Sequence, residues 1–175
     1  MEWKMLSGVT FIILLAGDVI QPGAMAKSVA QTRPDPCALL TLEGAERIGG
    51  LPMTRTPMEG VFSRYQCSYQ QKDGKAFEHA SITFTLGGGH SKQDDEENWT
   101  NLKKGSTARG QTMDTKGLAG IGDEAFITRK KDPMSFQTIL YVRKGGYHFI
   151  LDAQDLKQEP VEALKEIGKK IAASL

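Results

Sequence analysis

Gly117-Leu-Ala-Gly-Ile-Gly-Asp-Glu-Ala-Phe126 places three glycines around two large aliphatic side chains, immediately before a predicted strand. Glycines adopt φ > 0 at little cost and let another backbone come close, so such a segment suits either a functional site or a tight structural turn. We favour the turn. Leu118 and Ile121 are predicted to enter the core, and Gly120 and Gly122 to provide the bends that allow this.

The acids of this segment, Asp123 and Glu124, are the first catalytic candidates. Neighbours on a strand point to opposite faces of a sheet, so the two carboxylates cannot easily share one substrate. Asp123 is instead predicted to accept hydrogen bonds from turn amides ahead of the strand. The glycine spacings at 87–92 and 117–122 match neither a phosphate loop nor a dinucleotide fingerprint, and there is no Gly-x-Ser-x-Gly elbow. The sequence therefore predicts no catalytic residue, no cofactor and no enzyme activity.

The segment after the glycines reads as three strands, Glu124–Lys130, Ser135–Arg143 and Tyr147–Asp152. The last two form a hairpin, because Gly145-Gly146 supplies the φ > 0 that a two-residue connection requires. Counting back from that turn sets three cross-strand pairs: Val142 with Phe149, Leu140 with Leu151, and Arg143 with His148. The first two pairs are predicted to form one buried face.

The first half of the domain is predicted to be a helix followed by a meander of strands. The helix carries apolar residues at helical spacing and ends at two glycines, with Leu39, Leu42, Ala45 and Ile48 as its stripe. An edge strand is predicted within Pro52–Met58, and alternating strands over Val61–Gln70 and Ala76–Leu86. Tyr65, Cys67 and Tyr69 share the inner face of the first of these, and Ala80, Ile82, Phe84 and Leu86 that of the second. The glycines at 87–89 are expected to end the sheet there.

Two further helices and one short strand complete the prediction. Ser91–Lys104 has acids in its first turns and lysines in its last, which suits the helix dipole, and Trp99 is its main core contact. Glu159–Leu175 is amphipathic and should cover a sheet. A short strand is predicted near Thr112–Thr115. The fold class is thus α+β: an antiparallel sheet of six or seven strands, covered by the N- and C-terminal helices.

The N-terminus has the order of a signal peptide. A weakly basic start precedes an apolar run over Val9–Ala16, and Ala24-Met-Ala26 is a small-x-small cleavage site. The run is shorter than the roughly 20 residues that cross a bilayer. We predict a signal peptide over 1–26, a flexible tether over 27–36 and one domain over 37–175. No cysteine follows the run closely, so no lipid and no stable membrane anchor are expected after cleavage.

Cys37 and Cys67 are the two cysteines of the chain. In an oxidising compartment two cysteines can pair completely, and closing this loop would stabilise the fold by about 3 to 4 kcal/mol. A metal pair or a redox couple is the alternative, but there is no Cys-x-x-Cys. We predict a disulfide and a periplasmic or secreted location.

Charge and histidine spacing bear on partners and metals. The formal charge is +1, and it becomes +2 without residues 1–26, which contain Lys4, Glu2 and Asp18. With no basic run, nucleic-acid binding is not expected. The three histidines are scattered, and none has the helical spacing of a zinc pair. The residues to test first for a metal or small-ligand site are His90, Asp94 and Asp123.

Four segments together resemble a family of small exported bacterial proteins of unknown function, many of them lipoproteins. They are Asp35-Pro-Cys-Ala-Leu-Leu-Thr41, Tyr65-Gln-Cys-Ser-Tyr69, Gly120-Ile-Gly-Asp-Glu-Ala-Phe126 and Val142-Arg-Lys-Gly145. This chain departs from the family in lacking the lipid-bearing cysteine and in having Gly44 where a capping acid is usual. The succession of helices and antiparallel strands is also similar to the PsbP-like α/β/α sandwich, which implies partner binding.

These observations predict an exported, non-enzymatic binding or accessory module of the cell envelope, acting through its sheet face or its glycine loops. Its partner would be an envelope protein or a small ligand. The alternative is a small-ligand or metal-binding periplasmic protein.

Overall fold

The computed structural model describes residues 33–74, 80–88, 92–104, 114–131 and 136–175. The helices are α1 (Pro36–Leu39), α2 (Leu42–Gly49), α3 (Lys92–Lys104) and α4 (Val161–Ser174). The strands are β1 (Met53–Thr56), β2 (Gln66–Gln71), β3 (Ser81–Gly88), β4 (Asp114–Leu118), β5 (Glu124–Lys131), β6 (Phe136–Lys144) and β7 (Tyr147–Gln154). Described elements therefore confirm the predicted α+β class.

All seven strands belong to one antiparallel sheet, in the order β1-β2-β3-β7-β6-β5-β4. Its centre is the β6–β7 hairpin, since β7 also pairs with β3 and so joins the two halves of the sheet. The predicted register is confirmed in all three pairs: Val142 with Phe149, Leu140 with Leu151, and Arg143 with His148. The four apolar members of these pairs are completely buried.

One face of the sheet packs against α1, α2 and α4 to form the core. The alternate positions Ile82, Phe84 and Leu86 of β3 are fully buried there, as predicted. Helix α4 contributes Leu164, Ile167 and Ile171. At roughly 25 cal/mol per Å² of apolar area removed from water, this continuous layer is the main favourable term in the stability of the domain.

The first predicted helix is two helices. Thr41 begins α2, because its hydroxyl accepts a hydrogen bond from the Gly44 amide (3.2 Å), and Gly50 ends it in the left-handed conformation. Leu40 lies between the helices with an extended backbone and a completely buried side chain, and its carbonyl accepts a hydrogen bond from the Tyr69 hydroxyl (2.7 Å). Leu42, expected in the apolar stripe, is 44% exposed.

The predicted strand from Val61 is wrong in its first part. Gly60–Arg64 is a 3₁₀ turn, and β2 begins only at Gln66. Tyr65 was predicted to face the core, but it is 41% exposed and its ring lies under the Arg33 guanidinium, 4.6 Å from ring centroid to Cζ. Arg33 also donates to the Gly88 carbonyl (3.2 Å), so packing against the domain extends to residues before Cys37.

The sheet does not end at the first of the glycines at 87–89, because Gly87 and Gly88 are the last residues of β3. Gly87 and Gly88 continue the strand, paired with His148 and Tyr147. The His148 imidazole occupies the space where a side chain at position 87 would begin, since a Cβ there would lie 1.8 Å from its Nε2 atom. Glycine is required here for close approach and not for chain reversal.

Helix α3 packs on the opposite face of the sheet from the other helices. Trp99, its predicted anchor, is 2% exposed, but it contacts the Phe126 ring edge-on, with centroids 5.2 Å apart, outside the main core cluster. Phe126 stacks on Tyr141 at 4.5 Å. None of the described helices is long and apolar enough to cross a membrane.

Cys37 and Cys67 form the predicted disulfide, with their Cα atoms 5.1 Å apart. The bond ties α1 to β2, next to the Tyr69 hydrogen bond to Leu40, so the start of the helical layer is held to the sheet at two points. Cys67 is completely buried.

Reducing this disulfide should lower the free energy of unfolding by about 3 to 4 kcal/mol, because the unfolded chain regains the entropy of an open loop. Urea titration with and without dithiothreitol measures the change. The double variant Cys37→Ala, Cys67→Ala should show the same loss and no further response to reductant. Wild-type stability in that variant would contradict a stabilising role for the bond.

Candidate functional site

The glycine segment that suggested a site is a joint between β4 and β5. Gly117 and Leu118 are the last residues of β4, and β5 begins at Glu124. Ile121, in the connection, is 2% exposed and belongs to the core, and Leu118 packs against the same cluster. The prediction that the side chain enters the core is confirmed for Ile121, whereas Leu118 is only partly buried at its edge.

Gly122 allows this joint to contact the neighbouring hairpin. It has φ = +60°, and a Cβ atom here would lie 2.4 Å from the Arg143 carbonyl oxygen and 2.7 Å from Val142. The next amide, that of Asp123, donates to the same Arg143 carbonyl at 2.8 Å. A side chain at position 122 would therefore be strained by its backbone conformation and would also block this hydrogen bond.

Asp123 does bond to a turn amide, but the turn is that of the β6–β7 hairpin. Its carboxylate accepts hydrogen bonds from the Gly145 amide (2.7 Å) and from the Lys144 ammonium (3.0 Å). The Gly145 bond above all, and then Lys144, lower the pKa of this carboxyl group. Asp123 thus connects two turns that are distant in sequence.

Glu124 anchors α3 to the sheet. Its carboxylate accepts a hydrogen bond from the Trp99 indole (2.6 Å) and forms ion pairs with Lys103 and with Arg143, the latter at 3.3 Å. Arg143 also pairs with Glu96 of α3. The Lys103 hydrogen bond, followed by that of Trp99, lowers the pKa of Glu124. Both acids of the suspected pair therefore have structural partners.

The metal candidates are only partly covered by the described residues. His90 lies outside them, and for Asp94 they include the helix backbone but not the side chain. Asp123 has the two structural partners given above. Within the described ranges, no group of three or more histidine, cysteine, aspartate or glutamate side chains could hold a metal ion.

The half of the second sheet face that no described helix covers is the more informative surface. The outward positions of β1, β2, β3 and β7 carry mainly hydroxyl and amide side chains, and apart from Asp152 and His148 none of them is ionisable. We call this surface the polar face. With Gln137 of the adjoining strand, its hydrogen-bonding members are Thr54, Thr56, Gln66, Ser68, Gln70, Ser81, Thr83, Thr85, Asp152 and Gln154.

Pairs of these side chains bond across the strands. Ser68 and Thr83 share a hydrogen bond of 3.0 Å between their hydroxyl oxygens, and the Gln66 amide donates to Thr85 at 3.1 Å. Such cross-strand pairs hold these side chains in place on the polar face.

Asp152 lies at the inner border of the polar face, between Thr83 of β3 and Ile139 of β6. Gln137 donates to both carboxylate oxygens at 3.2 Å, and Gln154 donates to one at 2.8 Å. No cationic side chain of the described residues pairs with it. Burial raises the pKa of this carboxyl group, and the two amide bonds only partly oppose that effect. Ionisation of Asp152 is therefore less favourable in the folded protein than in water.

Two clefts lie on the helical side of the molecule. One, of about 520 Å³, is between the end of α2 and the start of α4, and the other, of about 340 Å³, is between α1 and the end of α4. Arg47 borders both and Lys170 borders the second, and both cations pair with Glu166. Two of the cations at these clefts are thus paired with the same acid.

Sequence reasoning missed Asp152 and its two glutamines. The available signal was the hairpin register: counting back from Gly145-Gly146 puts Asp152 opposite Ile139 on the outward face. Its partial burial arises from neighbours on other strands, which no local pattern reveals.

The chain was also compared with known proteins. No protein-family model matches it, and no match was found among curated proteins.

The glycine joint can be tested with three alanine substitutions. Gly122→Ala should lower the free energy of unfolding by about 3 kcal/mol, because it combines positive φ with a backbone clash. Gly120 has positive φ (+75°) but open space around it, so Gly120→Ala should lower the free energy of unfolding by about 1 kcal/mol. Gly117 has neither a positive φ nor a neighbour that a Cβ atom would meet, so Gly117→Ala should change the free energy of unfolding by less than about 0.5 kcal/mol. Equal urea midpoints for the first and last variants would contradict this ranking.

Asp152→Asn should stabilise the protein at pH 7. A carboxyl group whose folded pKa is raised contributes fully below its unfolded pKa and loses that contribution as pH rises through the folded pKa. The gain of the variant should therefore shrink on acidification and vanish below the ordinary aspartate pKa of about 3.9. Thermal unfolding from pH 3 to 8 measures this. The control is Asp155→Asn, at an exposed turn position with φ = +56° that suits asparagine. A loss of stability at pH 7 in Asp152→Asn alone would contradict the sign.

Proposed function

We propose that this protein is an exported, non-enzymatic binding or accessory module of the cell envelope, periplasmic or secreted, whose binding surface is the polar face. The observation that carries the proposal is Asp152, a partly buried carboxylate held by two glutamines on a surface whose other outward residues, apart from His148, are not ionisable. Natural proteins keep such energetically costly groups where binding or chemistry requires them.

Export is supported by two features. Residues 1–26 have the order of a signal peptide, and the Cys37–Cys67 disulfide is of the kind that persists in oxidising compartments. The resemblance to small exported bacterial proteins of unknown function points the same way, and we propose it as the chain's relationship.

A binding role fits the acids better than catalysis does. Asp123 joins two turns and Glu124 anchors α3, so neither is a free general base. The same engagement of Asp123 weakens the metal-binding alternative. Among the described residues, the side chains bonded to Asp152 are glutamines, and none is a second carboxylate, histidine or cysteine that would form a catalytic pair.

The partner is expected to be an envelope protein or a small ligand. Nucleic acid is disfavoured because the outward positions of β1, β2, β3 and β7 carry no lysine or arginine to neutralise phosphates.

Crosslinking in the native envelope tests the proposal. Ser68→Arg adds a long charged side chain at the middle of the polar face and should reduce the crosslinked product about tenfold or more, since burying an unpaired charge opposes docking. Ser174→Arg is the matched control, at an exposed position in the last turn of α4 where a cation suits the helix dipole.

Thermal unfolding should show both variants folded. Unchanged crosslinking in a folded Ser68→Arg protein would contradict the polar face as the binding surface. Hydrolysis of a generic ester or peptide panel by the purified protein, with no envelope crosslink, would contradict a non-enzymatic role.

A further inference from the structure

We propose that the polar face binds a neutral polyhydroxylated ligand, an oligosaccharide or glycan chain, with Asp152 as the central acceptor of its hydroxyl groups. This inference rests on the proposed function and specifies the chemistry of its ligand.

The polar face carries groups that can both donate and accept hydrogen bonds. Each hydroxyl has one donor and two acceptor positions, and each glutamine amide has two donors and an accepting oxygen. The pairs Ser68–Thr83 and Gln66–Thr85 each use one hydrogen bond, so every member keeps further capacity. The hydroxyl groups of a ligand also donate and accept hydrogen bonds. A ligand rich in them can therefore form hydrogen bonds with the individual side chains of this surface.

Asp152 provides a charged hydrogen-bond acceptor at the inner border of the polar face. Its two oxygens provide about four lone-pair sites, and Gln137 and Gln154 donate three hydrogen bonds to them. The glutamines hold the carboxylate in place, and one acceptor position is left for a ligand. Hydrogen bonds to a charged acceptor are worth more than those between neutral groups, which makes this carboxylate the strongest single contact on the polar face.

A pair of apolar side chains lies beside Asp152 on the same face of the sheet. Tyr141 and Ile150 lie directly opposite each other on β6 and β7, on the same face, and both are partly exposed. An aromatic ring next to an aliphatic side chain offers a surface on which the C–H face of a sugar ring can lie. The apolar surface formed by Tyr141 and Ile150 therefore lies next to the polar acceptor Asp152.

Charge complementarity selects a neutral ligand over other classes. An anionic polymer would meet Asp152 and no lysine or arginine on the outward positions of β1, β2, β3 or β7. A metal ion would find one carboxylate, and the described residues contain no cluster that could hold it. An apolar peptide would leave the hydroxyls and amides of the polar face unpaired.

The test is an NMR titration of the exported chain with three neutral probes, chitohexaose, cellohexaose and maltohexaose, and with a heparin hexasaccharide as the anionic comparison. At least one neutral probe should shift backbone amides of β3 and β7 in a saturable manner. Asp152→Asn should raise its Kd about tenfold or more, because a charged acceptor is lost. Asp155→Asn should leave the Kd within about twofold. Since the asparagine variant is expected to be more stable than the wild type, weaker binding cannot be attributed to unfolding.

Four results would overturn the inference: no shifts with any neutral probe, shifts confined to the clefts bordered by Arg47, equal affinity in the Asp152→Asn variant, or binding of the heparin probe alone. The crosslinking experiment separates these failures from that of the proposed function. If neutral probes fail while Ser68→Arg still abolishes an envelope crosslink, the ligand class is wrong and the binding surface stands. If Ser68→Arg also has no effect, both proposals are wrong.

Discussion

The register of the β6–β7 hairpin is the constraint on which the rest of the structure depends. Val142 lies opposite Phe149 and Leu140 opposite Leu151, and all four side chains are completely buried at the centre of the sheet. Because side chains alternate between faces, a slip of β7 by one residue would turn its core-facing side chains to the opposite face of the sheet. Asp152 would then enter the core. One register therefore places the apolar side chains of this hairpin in the core and the Asp152 carboxylate on the opposite face of the sheet.

The two faces of the sheet are covered differently. Three helices bury the core face, whereas on the other face α3 contacts the β5–β6 side through Trp99, Phe126 and Glu124. The composition of the strands follows this division. The outward residues of β5 and β6 include Phe126, Ile139 and Tyr141 among polar and charged side chains, whereas those of β2 and β3, apart from Gly87, are hydroxyls and amides. A face that is half covered and half polar provides both an anchored helix and an ordered surface for hydrogen bonding.

Three acids show how environment decides the role of a carboxylate. Asp123 and Glu124 have lowered pKa values because turn amides, lysine and the Trp99 indole stabilise their charge, and both strengthen the fold at neutral pH. Asp152 has a raised pKa because burial outweighs its two amide hydrogen bonds, so its charge opposes folding. The pair that is adjacent in sequence and looks catalytic is structural, while the unremarked single aspartate is the unusual group.

Local patterns predicted much of this architecture because the underlying physics is local. The double glycine at 145–146 specified the hairpin register, and alternation identified the buried residues of β3. The same patterns misread Gly87, which permits close approach of His148 inside a strand, and Tyr65, which pairs with Arg33 outside the core. In both cases the deciding partner is more than 30 residues away in sequence.

By itself, the amino-acid sequence determined the fold class, the central register, the disulfide and the role of the glycine segment as a joint, since each depends on periodicity, turn chemistry or cysteine count. Only the tertiary structure decided which turn Asp123 caps, which face α3 covers, and that Asp152 is partly buried between two glutamines. Those features depend on the order of strands in the sheet. Burial and hydrogen bonding there are set by neighbours that only the assembled sheet brings together.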